Sequence, residues 1–168
     1  FIEGIGSGSR LVSLVARGWR DGRFSEVGAG LTGGPGGHRL RIAMFSPLRL
    51  VRNKKELSAF DLASVARDVG FRLAVWGHYH QGLEWPEPWR FLQDDARAAQ
   101  VITSDAHLVS FHRYSGRQDR VIPMKGLMGM VDLSGVSPDF ALLLRAAELV
   151  GIGKGASIGL GRIRALTA

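Results

Sequence analysis

The sequence predicts an α+β fold in which residues 38–168 form a ferredoxin-like βαββαβ domain. Three observations predict it: four segments are typical of strands, two are typical of helices, and they follow one another as strand, helix, strand, strand, helix, strand. In chain order, the six segments are 38–51, 59–77, 106–114, 125–136, 139–150 and 160–167. This is the order of a ferredoxin-like domain, in which both helices cover one face of a four-stranded antiparallel sheet.

The first predicted strand, 38–51, has one hydrophobic and one basic set of positions. The hydrophobic positions are Leu40, Ile42, Met44, Leu48 and Leu50, and the basic ones are Arg39, Arg41 and Arg49. Such alternation is typical of a half-buried strand with a strongly basic edge or face. Pro47 lacks a backbone donor and marks a point where the strand can break.

The two predicted helices are identified by hydrophobic spacing and composition. Over 59–77, which starts after Ser58, hydrophobic residues recur at three- and four-residue steps, as on one face of a helix. Strong helix formers predominate over 139–150. A connection rich in Trp and Pro at 84–89 and a short polar helix near 91–99 precede the second strand.

Residues before this domain predict a remnant of another unit. Residues 1–5 are mostly apolar, 6–8 form a predicted turn, and 9–20 carry hydrophobic residues at helical spacing. Six glycines and a proline over 25–37 predict a linker and hence a domain boundary. Because the sequence starts with Phe1 rather than Met, we expect a fragment or a trimmed chain.

Composition narrows the possible partners. The 168 residues are 45% hydrophobic, which is enough for a core, and carry a net charge of +7, which favours a polyanion such as nucleic acid. The absence of cysteine excludes disulfides, thiolate metal sites and cysteine nucleophiles. No hydrophobic run approaches the ~20 residues of a membrane span, and the glycine-rich start has no hydrophobic stretch typical of a signal peptide. We therefore expect a soluble, cytoplasmic protein without a membrane partner.

The segment 151–162 is the strongest candidate for anion binding. It holds five glycines around Lys154 and is followed by Arg162 in a basic tail. Glycines let successive amides approach an oxyanion, and the two cations can pair with phosphate. The alternative is an ordinary helix end, for which Gly151 alone would suffice.

Two known phosphate-binding motifs do not fit this segment. A Walker loop requires a hydroxyl residue directly after its lysine, but Gly155 follows Lys154. A dinucleotide-binding fingerprint is formally met by Gly151, Gly153 and Ala156, yet it must follow a strand and open a helix. Here the glycines follow a predicted helix and precede a strand. The segment is therefore a helix-to-strand connection.

A second candidate binding segment lies at 111–120, between the two middle strands. It combines an imidazole, several guanidinium groups, a phenol and an amide in His112, Arg113, Tyr114, Arg117, Gln118 and Arg120. Arginine binds phosphate, tyrosine stacks on an unpaired base and glutamine reads a base edge. The segment therefore favours RNA over a merely solvated basic turn.

No metal site is predicted. On a helix, His78 and His80 point about 200° apart, so both could bind one ion only where the helix has ended. We interpret them as a helix-end pair rather than a metal site, and we likewise favour a structural role over metal binding for Asp105 and His107. Other acidic residues show no spacing typical of two-metal catalysis, and no Gly-x-Ser-x-Gly elbow is present.

Four segments together resemble a known family. They are Arg113-Tyr-Ser-Gly-Arg-Gln118, Lys125-Gly-Leu-Met-Gly-Met130, Leu142-Leu-Leu-Arg-Ala-Ala-Glu-Leu-Val150 and Gly153-Lys-Gly-Ala-Ser-Ile-Gly-Leu-Gly-Arg162. The pattern is similar to the carboxy-terminal domain of CRISPR precursor-RNA processing endoribonucleases, the Cas6 type of the RAMP superfamily. Ser46-Pro-Leu-Arg-Leu-Val51 resembles that domain's first strand, so the similarity covers about residues 38–166.

The resemblance implies a two-domain protein that binds CRISPR repeat RNA and cuts it, without metal or cofactor, by attack of a ribose 2′-OH that leaves a 2′,3′-cyclic phosphate. It implies that residues 1–30 are the tail of a first ferredoxin-like domain and 31–37 the linker. It also implies other Cas proteins as partners. The RNA-binding residues it implies in the loop are Gly153, Lys154, Gly155, Ser157, Gly159 and Gly161, with Arg162 adjacent.

This sequence departs from the family in the position of the histidine that acts as general base. Some relatives have a histidine just before the Gly-Lys pair, where this chain has Gly151, and many have it in the first domain. Within this sequence His112 is the candidate base, with Arg113, Tyr114 and Arg117 beside it.

Two other hypotheses stay open at this point. The chain could be a noncatalytic RAMP-like subunit that holds guide RNA in an effector complex. It could also be an enzyme that uses the glycine-rich loop to bind a small phosphate or nucleotide, in which case binding would depend little on salt.

Overall fold

The computed structural model describes residues 38–82 and 89–167. These residues form an antiparallel sheet with helices on one face. The strands are β1 (His38–Leu48), β2 (Val51–Arg52), β3 (Lys55–Glu56), β4 (Gln100–Ser104), β5 (His107–Ser115), β6 (Arg120–Val136) and β7 (Ile163–Thr167). The α-helices are α1 (Leu62–Gln81), α2 (Trp89–Ala98) and α3 (Pro138–Val150), and a short 3-10 helix spans Ala156–Ile158. The expectations for residues 1–37, including the linker and the domain boundary, lie outside the described residues.

The main sheet has the order β4-β6-β1-β7, and β5 also pairs with β6. All four pairings are antiparallel. β4 and β5 lie along successive parts of β6: Gln100 pairs with Ser134, and His107 pairs with Met128. Together they form one edge of the sheet. The strands β2 and β3 form a separate hairpin, which the sequence analysis did not predict.

The edge is interrupted at Asp105, which separates β5, the predicted strand 106–114, from β4, a strand that the sequence patterns did not predict. The Asp105 amide donates a hydrogen bond to the Met130 carbonyl at 3.1 Å, and the Asp105 carboxylate accepts one from the Met130 amide. Opposite it, Gly129 has φ +125°, and a Cβ there would lie 2.6 Å from Asp105 Oδ1. The sheet edge therefore bends around a glycine, with β4 on one side and β5 on the other.

β6 begins at Arg120, five residues before the predicted start at Lys125. Its first residues pair with the end of β5, with Ser115 opposite Arg120, so the predicted polar connection over 115–124 is mostly a β-hairpin. The turn is tight because Asp119 adopts a left-handed conformation, with φ 46°. Aspartate tolerates this conformation better than most residues.

α1 begins and ends later than predicted. Its N-cap is Asp61, whose carboxylate accepts from the Ser64 amide at 3.0 Å, rather than Ser58. The helix passes through Gly77 and ends at Gly82, which has φ 61°. His78 and His80 both lie in the last turn of α1, which agrees with their interpretation as a helix-end pair, although the helix continues past the predicted end at Gly77. α3 confirms its prediction, with Ser137 accepting from the Phe140 amide at 3.1 Å and Pro138 in the first turn.

The core lies between one face of the sheet and the helices. Fully buried positions alternate along β1, at Leu40 and Ile42, and they meet Val69 of α1 and Phe140 of α3 in one hydrophobic cluster. The other sheet face carries Arg41, Phe45, Asp132 and Arg164. Across the described residues, none of the helices is both long and apolar enough to cross a membrane.

Candidate nucleic-acid interface

The glycine-rich loop, residues 151–162, is held against the end of β1. The amide of Lys154 donates to the Arg49 carbonyl at 2.8 Å, and that of Gly161 donates to the Pro47 carbonyl at 3.0 Å. The amide of Arg162 donates to Ser46 Oγ at 2.9 Å. These contacts join residues more than 100 positions apart, so the loop has a fixed position on the sheet.

Close packing explains several of the glycines. All five have positive φ, and at two of them a side chain would collide with backbone. A Cβ at Gly161 would lie 1.8 Å from the Ile152 oxygen, and one at Gly153 would lie 2.4 Å from the Arg49 oxygen. At Gly159, by contrast, a Cβ would meet nothing within 4 Å. Gly161 and Gly153 therefore fix the shape of the loop.

This packing changes the expected role of the loop amides. The glycine-rich composition predicted amides converging on an anion. Many of these amides instead donate to acceptors within the protein: those of Ile152, Lys154, Ile158, Gly159, Leu160, Gly161 and Arg162. The loop instead presents exposed side chains, those of Lys154, Ser157 and Arg162. Charge, rather than a cradle of amides, is what the loop offers to a phosphate.

An aromatic residue and a further arginine extend this basic surface onto the open sheet face. The Arg164 guanidinium lies 5.6 Å from the centroid of the Phe45 ring, and Phe45 is 62% exposed. The Phe45 amide also donates to the Arg162 carbonyl at 2.8 Å. An exposed ring beside cations is a stacking platform for bases. This pair was not among the predicted site residues, although the alternation of β1 and β7 is a signal that could have identified it.

The β5–β6 hairpin places its predicted residues in solvent. His112, Arg113 and Tyr114 are on β5, while Arg117 and Gln118 are in the turn, and all five are exposed. Tyr114 donates its hydroxyl proton to the Asp119 carboxylate, and this hydrogen bond raises the pKa of Tyr114. Arg120 Nε donates to Gln118 Oε1 at 2.9 Å, which orders the turn.

The loop and the hairpin lie at the same end of the sheet but are not adjacent. Gly126 of β6 packs against Pro47 and Arg49, the residues that hold the loop. His112 is opposite Pro123, three positions from Gly126. At ~3.4 Å per residue this separation is about 10 Å along the strand. Strand alternation also puts His112 and Tyr114 on one face of the hairpin and Arg113 on the other.

One arginine of the open sheet face is already paired. Arg41 donates to both carboxylate oxygens of Asp132, at 2.6 and 2.8 Å, and the Thr103 hydroxyl donates to the same carboxylate at 2.9 Å. These hydrogen bonds lower the pKa of Asp132 to about 2. Because its charge is neutralised, Arg41 is a weaker phosphate ligand than the cations of the loop.

Residues 38–82 and 89–167 contain no group of three or more histidine, aspartate or glutamate side chains placed to hold a metal ion. His107 has its Nδ1 3.0 Å from the Asp105 carbonyl oxygen, and the ring of His78 meets that of Tyr79 edge to face at 5.2 Å between centroids.

Comparison with known proteins identifies the family. A family model described as CRISPR-associated endoribonuclease Cas6 matches residues 42–163. Among solved structures, a Cas6 product complex is similar with a TM-score of 0.56 and 18% identity, covering 83% of this chain and 56% of that one. Thermus thermophilus Cas6 is similar with a TM-score of 0.53 and 14% identity, and the match covers 85% of this chain and 57% of that one.

A partial Cas6-RT-Cas1–Cas2 complex is also similar, with a TM-score of 0.57 and 14% identity, covering 79% of this chain and 23% of that one. The chain therefore spans a little over half the length of the two separate Cas6 proteins. No curated protein sequence matches it. Since the family model covers more than half of the chain, the chain belongs to the CRISPR-associated endoribonuclease Cas6 family.

Proposed function

We propose that this chain is the RNA-gripping part of an endoribonuclease that binds CRISPR repeat RNA and cuts it to release guide RNAs. The observation that carries the proposal is the glycine-rich loop, which is held rigidly on β1 and exposes Lys154 and Arg162 beside Phe45 and Arg164. A Cas6 product complex of similar fold supports RNA as the ligand. The precursor RNA would meet the protein in the cytoplasm, and the Cas6-RT-Cas1–Cas2 assembly supports other Cas proteins as partners.

We further propose that residues 38–167 are a ferredoxin-like domain. The strand order supports this, because β1 is central, β7 and β6 flank it, and the β4–β5 edge lies beyond β6. Residues 1–30 would then be the tail of a first domain of the same kind and 31–37 the linker. RNA would lie between the two domains, where it could contact the loop and the hairpin.

The proposed reaction needs no metal. The ribose 2′-OH attacks the adjacent phosphorus, and a general base takes its proton. The bond from phosphorus to the 5′-oxygen breaks, and that oxygen is protonated, which leaves a 2′,3′-cyclic phosphate and a 5′-hydroxyl. Cations close to the cleaved phosphate stabilise the negative charge that develops on the phosphorane, while Lys154 and Arg162 hold neighbouring phosphates of the RNA.

His112 is the candidate base within this chain. It is exposed and shares its hairpin face with Tyr114. Strand alternation places Arg113 on the opposite face, so of the two arginines proposed to accompany His112 we retain Arg117 in the turn. A base in the first domain is the alternative within the same mechanism.

A noncatalytic RAMP-like subunit that holds guide RNA is the second candidate function. The position where some relatives have a histidine is Gly151, which ends α3 with φ 70°. A histidine at this positive φ would be strained, so the local backbone favours glycine there. This candidate predicts RNA binding without a cyclic-phosphate product.

Lys154→Ala tests the role of the loop. We expect weaker RNA binding and a slope of log affinity against log salt that is smaller by about 0.7 to 0.9, because one phosphate contact is lost. The measurement is a titration of labelled repeat RNA at several salt concentrations. Arg97→Ala is the matched control, because Arg97 is exposed on α2 and pairs with Asp94 at 2.7 Å. An unchanged slope for Lys154→Ala would remove the lysine from the interface.

A further inference from the structure

The β2–β3 hairpin, residues 51–56, carries three exposed cations next to the glycine-rich loop. They are Arg52, Lys54 and Lys55. Arg49, two residues before the hairpin, accepts a hydrogen bond from the Lys154 amide through its carbonyl at 2.8 Å. Because an extended chain advances at most ~3.6 Å per residue, Lys54 lies within about 18 Å of Arg49. The hairpin is therefore a second basic element beside the loop.

The base of this hairpin is anchored to the rest of the domain. Arg67 of α1 donates to the Val51 carbonyl at 2.7 Å. Arg49 donates to the Glu56 carboxylate, and the Arg49 side chain is only 12% exposed. The one acidic residue of the hairpin is thus already neutralised, and the three cations extend from a fixed base.

The turn of the hairpin holds a lysine in a conformation that disfavours it. Asn53 and Lys54 both have positive φ, 50° and 64°, as a two-residue type I′ turn requires. Such turns favour Asn-Gly, because glycine adopts the left-handed conformation without a steric cost and lysine does not. The sequence therefore has a positive charge at a position where local stability favours glycine.

The two strands of the hairpin also place like charges opposite each other. Arg52 pairs with Lys55 in the register, so both side chains extend from the same face, where they repel each other. Arg52 has a carboxylate partner, Asp61, at 3.9 Å. Within residues 38–82 and 89–167, neither Lys54 nor Lys55 has an ion pair. Strain and repulsion at exposed residues are typical of binding sites, because a ligand can offset them.

We propose that the β2–β3 hairpin binds the sugar-phosphate backbone of the RNA strand that the glycine-rich loop holds, with phosphates at Lys54 and Lys55. This inference rests on the proposed function, because the hairpin extends the basic surface that begins at Lys154. A polyanion offsets the repulsion between Arg52 and Lys55 without contacting a base. The hairpin should therefore contribute affinity and salt dependence, but no preference for a base sequence.

The test is a titration of labelled repeat RNA with the whole chain at several salt concentrations. We expect the double variant Lys54→Ala, Lys55→Ala to lower the slope of log affinity against log salt by about 1.4, because each phosphate contact of a single strand contributes ~0.7. When salt is lowered tenfold, the affinity of this variant should rise about 25-fold less than that of the wild-type chain. The matched control is Arg97→Ala, Arg145→Ala, which removes the same charge from helices where each arginine has an ion pair. This control should change the slope much less.

Single substitutions in the turn separate the charge of Lys54 from the shape of the hairpin. Lys54→Gly should lower the slope by about 0.7 and yet not lower the midpoint of denaturant unfolding, because glycine fits the turn. Lys54→Arg keeps the charge and should keep the slope. Asn53→Gly keeps every cation and should leave RNA affinity unchanged.

Two results of the titrations would overturn the inference: an unchanged slope in the Lys54→Ala, Lys55→Ala variant, or an equal fall of the slope in this variant and in its control. The proposed function would still stand if Lys154→Ala lowered the slope. Absence of RNA binding by the wild-type chain would overturn both. Polyglutamate of matched length is the probe for another partner. If it competed as strongly as unlabelled repeat RNA, and the double variant lost this competition, the hairpin would be a site for an acidic protein instead.

Discussion

Gly161→Ala should cost the protein several kcal/mol of its free energy of unfolding, whereas Gly159→Ala should cost only about 1 to 2 kcal/mol. Both glycines have positive φ, +64° and +88°, so both substitutions introduce backbone strain. Only at Gly161 does the new Cβ also collide with backbone, 1.8 Å from the Ile152 oxygen. The difference between the two variants therefore measures the close packing of the loop, separate from conformational strain.

Denaturant unfolding of both variants measures this difference, and circular dichroism shows whether each variant folds. The Gly161 amide also donates to Pro47, and the Gly161 carbonyl accepts from Ile152. Displacement of this residue should therefore free the loop from β1 and reduce RNA affinity as well. Equal and small losses of stability in the two variants would mean that the loop is not packed as described.

The triple variant Arg113→Ala, Arg117→Ala, Arg120→Ala should lose most of the RNA affinity that the hairpin provides. All three side chains are exposed on the β5–β6 hairpin. If each binds a phosphate of a single strand, the salt slope should fall by about 2, because each contact contributes ~0.7. The loss should be larger at low salt than at high salt. Titrations of repeat RNA at three or more salt concentrations give both quantities.

A second triple variant is the control, because it removes the same charge from the helices, where each arginine has an ion pair. It combines Arg97→Ala, Arg145→Ala and Arg67→Ala. This control should change the salt slope of RNA affinity much less. Denaturant unfolding shows whether the loss of its helix contacts lowers stability. If both triple variants weaken binding equally, net charge alone governs the affinity and the hairpin has no specific role.

Local patterns in the sequence were sufficient for much of the fold. The strong helix formers over 139–150 predicted α3 to within one residue, and the alternation in β1 separated its buried face from its basic face. The errors lie where distant residues determine the outcome. β4 ends before Asp105 because Gly129, 24 residues after Asp105, allows the bend, and local composition contains no signal for such a contact.

In the candidate site, too, local composition predicted some features and contacts between distant residues determined the others. Composition predicted a basic glycine-rich loop at 151–162, and its exposed Lys154 and Arg162 agree with a role in binding. Its amides were expected to face a ligand, but many bond inside the protein, several of them to Pro47, Arg49 or other distant residues.

The most direct test of the central claim is an RNA cleavage assay in EDTA. This chain and a version extended upstream are each mixed with labelled CRISPR repeat RNA, a copy with a 2′-deoxy ribose at the cut site, and matched DNA. We expect RNA to be bound in preference to DNA, and only the unblocked RNA to be cut, with a 2′,3′-cyclic phosphate product. Cleavage of the blocked copy, cleavage that requires added metal, or equal binding of RNA and DNA would contradict the account.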